Sequence, residues 1–120
     1  MVAPEKDFTA SVDEILKRDP KSISAHTMSA MILQIQNKFR EAQARYQKAL
    51  DLDPTAIVAA NNLAWLYVSR GGNLDLALQL AQSAKAQAPD DPDVNDTLAS
   101  VYLKKDLNTL AIPPLRICVA

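Results

Sequence analysis

Glycine is nearly absent from this chain of 120 residues, occurring only as the adjacent pair Gly71-Gly72. Sheet-rich folds of this size draw on more turn glycines, so the scarcity argues against a β architecture. A single cysteine, Cys118, excludes an internal disulfide, and with a single histidine, His26, no set of soft ligands for zinc can be assembled. Charge of one sign is lacking too. The net charge is −1 and the Lys and Arg are scattered, so no basic stripe exists to neutralise phosphates or an anionic membrane. Nucleic acid and direct membrane insertion are therefore not expected. No stretch approaches 18 apolar residues, and the start, Met1 to Asp7, has no apolar run of the kind a signal peptide requires. A soluble chain, cytoplasmic or periplasmic, is the expectation.

What is present is ordinary for a folded domain. Apolar residues make up 48% and charged residues 22%, far from the composition of a disordered segment. The wealth of Ala, Leu, Gln and Lys favours helix, and the length suits one domain with a real core. The fold class expected is all-α.

Self-similarity organises the chain. Asp19-Pro20 and Asp53-Pro54 stand 34 residues apart. Ala30 to Ala64 is 34 and Ala64 to Ala99 is 35, while Ala42 to Ala77 is 35 and Ala77 to Ala111 is 34. One insertion between Tyr67 and Ala77 explains every 35, and the turn Ser69 to Asn73 is where an extra residue costs least. Within a unit the apolar spacing is helical: Leu63, Leu66, Tyr67, then Ala77, Leu80, Ala81, Ala84 follow i, i+3, i+4, i+7 steps, interrupted by the glycines. Each unit is thus two helices and a tight turn.

Helix edges carry their own signals. Asp91 before Pro92 reads as N-cap then first helical residue, Ser22 and Thr55 are N-cap candidates, and Asn73 can cap the helix after the glycines. At the equivalent turns stand Asn37 and Asp106, residues that tolerate a left-handed backbone. The spacing predicts seven antiparallel helices, near 5–18, 22–36, 38–52, 56–70, 74–88, 92–105 and 108–118. In domain terms this is a half repeat at 5–20, repeats at 23–56 and 57–91, and a truncated repeat at 92–120. The first helix places Phe8, Val12, Ile15 and Leu16 in register with the second helix of a unit.

These residues resemble the tetratricopeptide repeat family. In the unit from Ile57 to Asp91, Leu63, Ala64, Tyr67, Gly71, Ala77, Ala84 and Pro89 fall on the positions where that family keeps a large apolar, small, aromatic, glycine, small, small and proline residue. The unit from Ile23 supplies Ala30, Leu33, Phe39, Ala42, Tyr46, Ala49 and Pro54, with Ser29 and Asn37 departing from the usual leucine and glycine. The last supplies Leu98, Ala99, Tyr102 and Ala111, then departs at Pro113-Pro114. The resemblance implies a solenoid of helix-turn-helix units curving into a right-handed superhelix. The physical basis is independent of the family. Small residues (Ala30, Ala64, Ala99; Ala42, Ala77; Ala49, Ala84) let paired helices approach closely, and Tyr46, Tyr67 and Tyr102 fill the space between them. The wording Asn61-Asn62-Leu63-Ala64-Trp65-Leu66-Tyr67, then Ala88-Pro89-Asp90-Asp91-Pro92 and Asp96-Thr97-Leu98, is similar to large bacterial repeat proteins, some of them envelope lipoproteins linked to export of surface polymers.

The resemblance also implies a groove on the first helix of each unit. The positions that would line it are Thr27, Met28, Met31, Gln34 and Ile35; Asn61, Asn62, Trp65, Val68 and Ser69; and Asp93, Asp96, Thr97, Ser100 and Lys104. Asn62 matches an asparagine that such repeats use to hold the backbone of an extended peptide, since an amide donates and accepts at once. The competing readings are that Asn62 caps or faces water and that Trp65 packs on the next unit. Chaperone-binding members grip an acidic C-terminus with Lys and Asn, then Asn, then Lys and Arg; the aligned residues here are Thr27 and Met31, Asn62, then Asp93 and Thr97. Four of those five are missing and one is reversed in sign, so a basic or neutral ligand fits better.

No catalytic constellation emerges. His26 has no Ser, Cys or carboxylate that spacing places beside it, and Cys118 aligns with Ala49 and Ala84 as a small packing residue. The run Asp90-Asp91-Pro92-Asp93 lacks the glycine and terminal glutamate of a calcium loop and reads as helix-start chemistry. The expectation is a protein or peptide-binding scaffold without enzyme activity, metal or cofactor. The alternative is a structural or self-associating segment of a larger protein, with apolar Leu103, Leu115, Ile117 and Val119 leaving an uncapped C-terminal end through which a homo-oligomer could form.

Overall fold

The computed structural model describes residues 12–108. Six helices, and no strand, occur among them: α1 (12–18), α2 (Ile23–Ile35), α3 (Phe39–Leu52), α4 (Ile57–Arg70), α5 (Leu74–Gln87) and α6 (Pro92–Asn108). None of these helices is long and apolar enough to cross a membrane. The start of the first helix, the helix expected at 108–118, Cys118, and the apolar end at Leu115, Ile117 and Val119 lie outside the described residues.

Each Asp-Pro step makes the same turn. The carboxylate of Asp19 accepts from the Lys21 amide at 3.1 Å, that of Asp53 from the Thr55 amide at 2.9 Å, and that of Asp91 from the Asp93 amide at 2.9 Å. Proline fixes φ between the two partners, and the aspartate side chain supplies the acceptor that closes the turn. At Asp53 the carboxylate also takes the Thr55 hydroxyl, at 2.6 Å, and these bonds hold its pKa below the usual carboxylate value. The Thr55 hydroxyl is thereby engaged, so Ala56, with no side-chain cap, occupies the N-cap expected of Thr55. The other caps form: Ser22 accepts from the Ala25 amide and Asn73 from the Leu76 amide.

Both complete units close their first helix alike. Asn37 has φ 64° and Gly71 φ 78°, and the following residue donates back across the turn, Lys38 to the Leu33 carbonyl at 2.8 Å and Gly72 to that of Tyr67 at 2.7 Å. Two of the sequence expectations need correction here. Asp106 does not turn the chain, because nothing before it stops the helix and α6 runs on to Asn108. The extra residue of the second unit lengthens α4 by one relative to α2, and the intervening turn stays three residues long.

The two glycines are required for different reasons. A Cβ on Gly72 would stand 2.3 Å from the Tyr67 ring and 3.2 Å from the Tyr67 Cα, while Gly71 holds a left-handed backbone in open space. Gly72→Ala should therefore cost about 1–2 kcal/mol through overpacking, and Gly71→Ala about 1 kcal/mol through its positive φ. Urea denaturation of the two variants checks both values, and a stability equal to the parent at Gly72 would show that Tyr67 swings aside freely.

The helices pack in sequence, α2 on α3, α3 on α4, α4 on α5 and α5 on α6, with α4 also meeting α6. Ala30, Ala42, Ala49, Ala64, Ala77 and Ala84 are fully buried at these contacts, where a missing side chain lets backbones approach. Two clusters form the core. One centres on Tyr46, Leu63 and Leu66, the other on Ala64, Ala77, Ala81 and Val101. Ala99 departs from the pattern and is exposed. Of the three tyrosines Tyr46 is buried, Tyr67 half-buried and Tyr102 exposed, its hydroxyl bonded to Gln82 at 3.3 Å.

Candidate peptide-binding groove

Direct packing of α4 on α6, with no comparable contact between α2 and α4, leaves the first helices unevenly spaced. Two recesses open along them. Between α2 and α4 lies one of about 340 Å³, lined by Met31, Gln34, Ile35, Tyr46 and Asn62. Between α4 and α6 lies one of about 360 Å³, lined by Asn61, Asn62, Trp65, Asp93, Asp96 and Thr97. Helical spacing explains the grouping: Met31 and Ile35, Asn61 and Trp65, and Asp93 and Thr97 are each four residues apart and share a face. Asn62 belongs to both recesses.

Tyr46 fixes Asn62. From α3 its ring fills the space below, and its hydroxyl donates to Gln34 Oε1 at 2.8 Å while accepting from Asn62 Nδ2 at 3.2 Å. Burial pushes the phenol pKa up and the Asn62 bond pulls it partly back, so the hydroxyl stays protonated and able to donate. One amide hydrogen of Asn62 is held in this way, and its carbonyl and second hydrogen remain open. The sequence places Tyr46 among the spacers between helices; its polar role at the groove floor depends on a contact 16 residues distant that no local pattern reveals.

The remaining groove candidates stand around these recesses and line neither. Met28 is exposed on α2, and Thr27 turns its hydroxyl onto the Ile23 carbonyl at 2.8 Å. Ser69 likewise bonds the Trp65 carbonyl at 2.8 Å, and Ser100 is half-buried on α6. Met31 and Trp65 show 44% and 45% of their surface, enough apolar area for a ligand to cover. Thr97 is buried. A third recess, among α1, α2 and α3, includes Asp13, Ser29, Glu41 and Arg45 and none of the groove candidates.

The titratable groups elsewhere have structural partners. His26 is buried, its Nε2 donates to the Pro20 carbonyl at 2.8 Å, and Nδ1 faces Arg45 at 3.5 Å. A carbonyl only accepts, which assigns the proton to Nε2 and leaves Nδ1 to receive from the guanidinium. Lys85 ties the Pro89 carbonyl at 2.7 Å and Asn95 Oδ1 at 2.6 Å and so joins α5 to α6. Among the described residues no three His, Cys, Asp or Glu side chains are grouped to hold a metal ion.

Antiparallel helix pairs stacked in sequence, with a groove on the first helix of each pair, define a helical repeat solenoid of the interaction-module class. A family model for the tetratricopeptide repeat matches residues 33–101. The chain belongs to the tetratricopeptide repeat family. No curated protein matches its sequence. Among solved structures it is similar to the TPR2B domain of yeast Sti1, in complex with pHsp70, with a TM-score of 0.69 and 20% identity over 80% of this chain and 81% of that one. At that identity the likeness is one of fold.

Proposed function

We propose that the chain is a non-catalytic scaffold that holds an extended segment of another polypeptide along α2, α4 and α6. The observation that carries this reading is Asn62, anchored by Tyr46 between two recesses with hydrogen-bonding capacity left over. An amide so placed can hold a peptide backbone while side chains enter on either side of it. The family consists of interaction modules, and the yeast relative is solved with a partner, which supports a polypeptide ligand. Met31, Ile35 and Trp65 supply apolar contact, and Asp93, Asp96 and Thr97 the polar end.

Titration with a randomised octapeptide pool, followed by its individual members, should give a saturable change in the fluorescence of Trp65, the sole tryptophan. Asn62→Ala should weaken binding by about tenfold with the helical circular dichroism unchanged. Lys48→Ala, at an exposed position of α3, should leave binding as it is. Loss at Lys48 with normal binding at Asn62 would put the ligand on another face. A segment that only meets neighbouring repeats of a larger protein, the alternative, predicts no saturable change with any pool.

A further inference from the structure

The α4–α6 recess has a chemical asymmetry that narrows the ligand. Asp93 and Asp96 stand three residues apart on one face of α6, and both line it. Neither carboxylate takes part in an ion pair or accepts a side-chain hydrogen bond among the described residues. Neither is needed as a helix cap, because Asp91 already accepts from the Asp93 and Val94 amides, at 2.9 and 3.4 Å. Across the recess, Asn61 Oδ1 is buried and has no hydrogen-bond partner. Trp65 completes the lining with an exposed indole. The recess thus presents two carboxylates and an aromatic surface, with the unmatched Asn61 carbonyl buried behind them, and no Lys or Arg lines it.

We propose that this recess receives an arginine side chain of the bound segment, an assignment that rests on the groove reading above. A guanidinium carries five N–H donors and no acceptor, so it complements a wall dominated by acceptors, and its plane can lie on the Trp65 ring. An ammonium offers a compact charge without that stacking surface. Because Asn62 also borders the Met31 and Ile35 recess, the segment carries an apolar residue near the arginine, with Asn62 holding the backbone between them.

The test uses octapeptide pools with one position fixed as arginine, lysine, citrulline or glutamate and the others randomised, titrated against Trp65 emission. Citrulline keeps the size and shape of arginine and removes its charge. The arginine pool should bind about tenfold more tightly than the citrulline pool, and the doubly substituted Asp93→Asn, Asp96→Asn protein, its helicity verified, should lose most of that difference. A lysine pool equal to the arginine pool overturns the guanidinium assignment. Equal binding of arginine, citrulline and glutamate pools, still abolished by Asn62→Ala, overturns the arginine site and leaves the groove standing. No saturable signal from any pool overturns both.

Discussion

Tyr46→Ala should lower the stability of the domain by about 3–5 kcal/mol, the range for truncating a buried aromatic side chain to alanine. The ring is fully buried at the meeting point of α2, α3 and α4, so its removal opens a cavity between two units as well as within one. Tyr46→Phe separates the two roles of the residue. It keeps the packing and removes the hydroxyl that joins Gln34 to Asn62, at about 0.5–1.5 kcal/mol. Both partners are half-buried, so water can replace part of what is lost. The phenylalanine variant should therefore fold well and bind peptide less tightly, because Asn62 is no longer held. Urea midpoints at constant m-value measure the first effect, and Trp65 titration the second. A loss below about 1 kcal/mol in the alanine variant would show that α2 and α4 are held together by other contacts.

The opposite kind of change is expected at the small residues. Ala64→Leu and Ala77→Leu should each cost about 1–3 kcal/mol, since both side chains are fully buried in one cluster between α4 and α5. Three added carbons there push the helices apart. Ala86→Leu on the exposed side of α5 is the control and should leave thermal stability nearly unchanged. If Ala64→Leu and Ala77→Leu melt with the parent, the repeat register built on those alanines is wrong.

That register was readable because it depends on short-range rules. A small residue recurs wherever two helices touch, and Asn37 or Gly71 occupies each turn because few residues accept a positive φ. Ser22, Asn73 and Asp91 cap their helices from positions a sequence pattern can specify. Competition between neighbours was harder to read: Thr55 looks like a cap until Asp53, two residues away, claims its hydroxyl. The crowding at Gly72 is equally hidden from the sequence, because it comes from a side chain folded back from the previous turn. For the groove, periodicity indicates which face of a helix is turned outward. It says nothing of how far α2 stands from α4, which decides that Met31 and Ile35 border a recess while Thr27 and Ser69 bond to their own helices. The Asn62 to Tyr46 bond and the unpartnered Asn61 carbonyl are likewise products of packing between units.

The chain-order packing of the helices bears on how the molecule forms and comes apart. With α2 packing chiefly on α3, and α4 chiefly on α3, α5 and α6, most of the packing joins segments close together in the chain. Low contact order of this kind goes with rapid folding, because little loop entropy has to be lost before contacts begin to reward it. Opening can then proceed one helix at a time, from α2 inward. Packed against three other helices, α3, α5 and α6, α4 is well placed to nucleate and late to be released. It also carries Asn62 and Trp65, so the centre of the groove sits on a part of the solenoid that local unfolding reaches late.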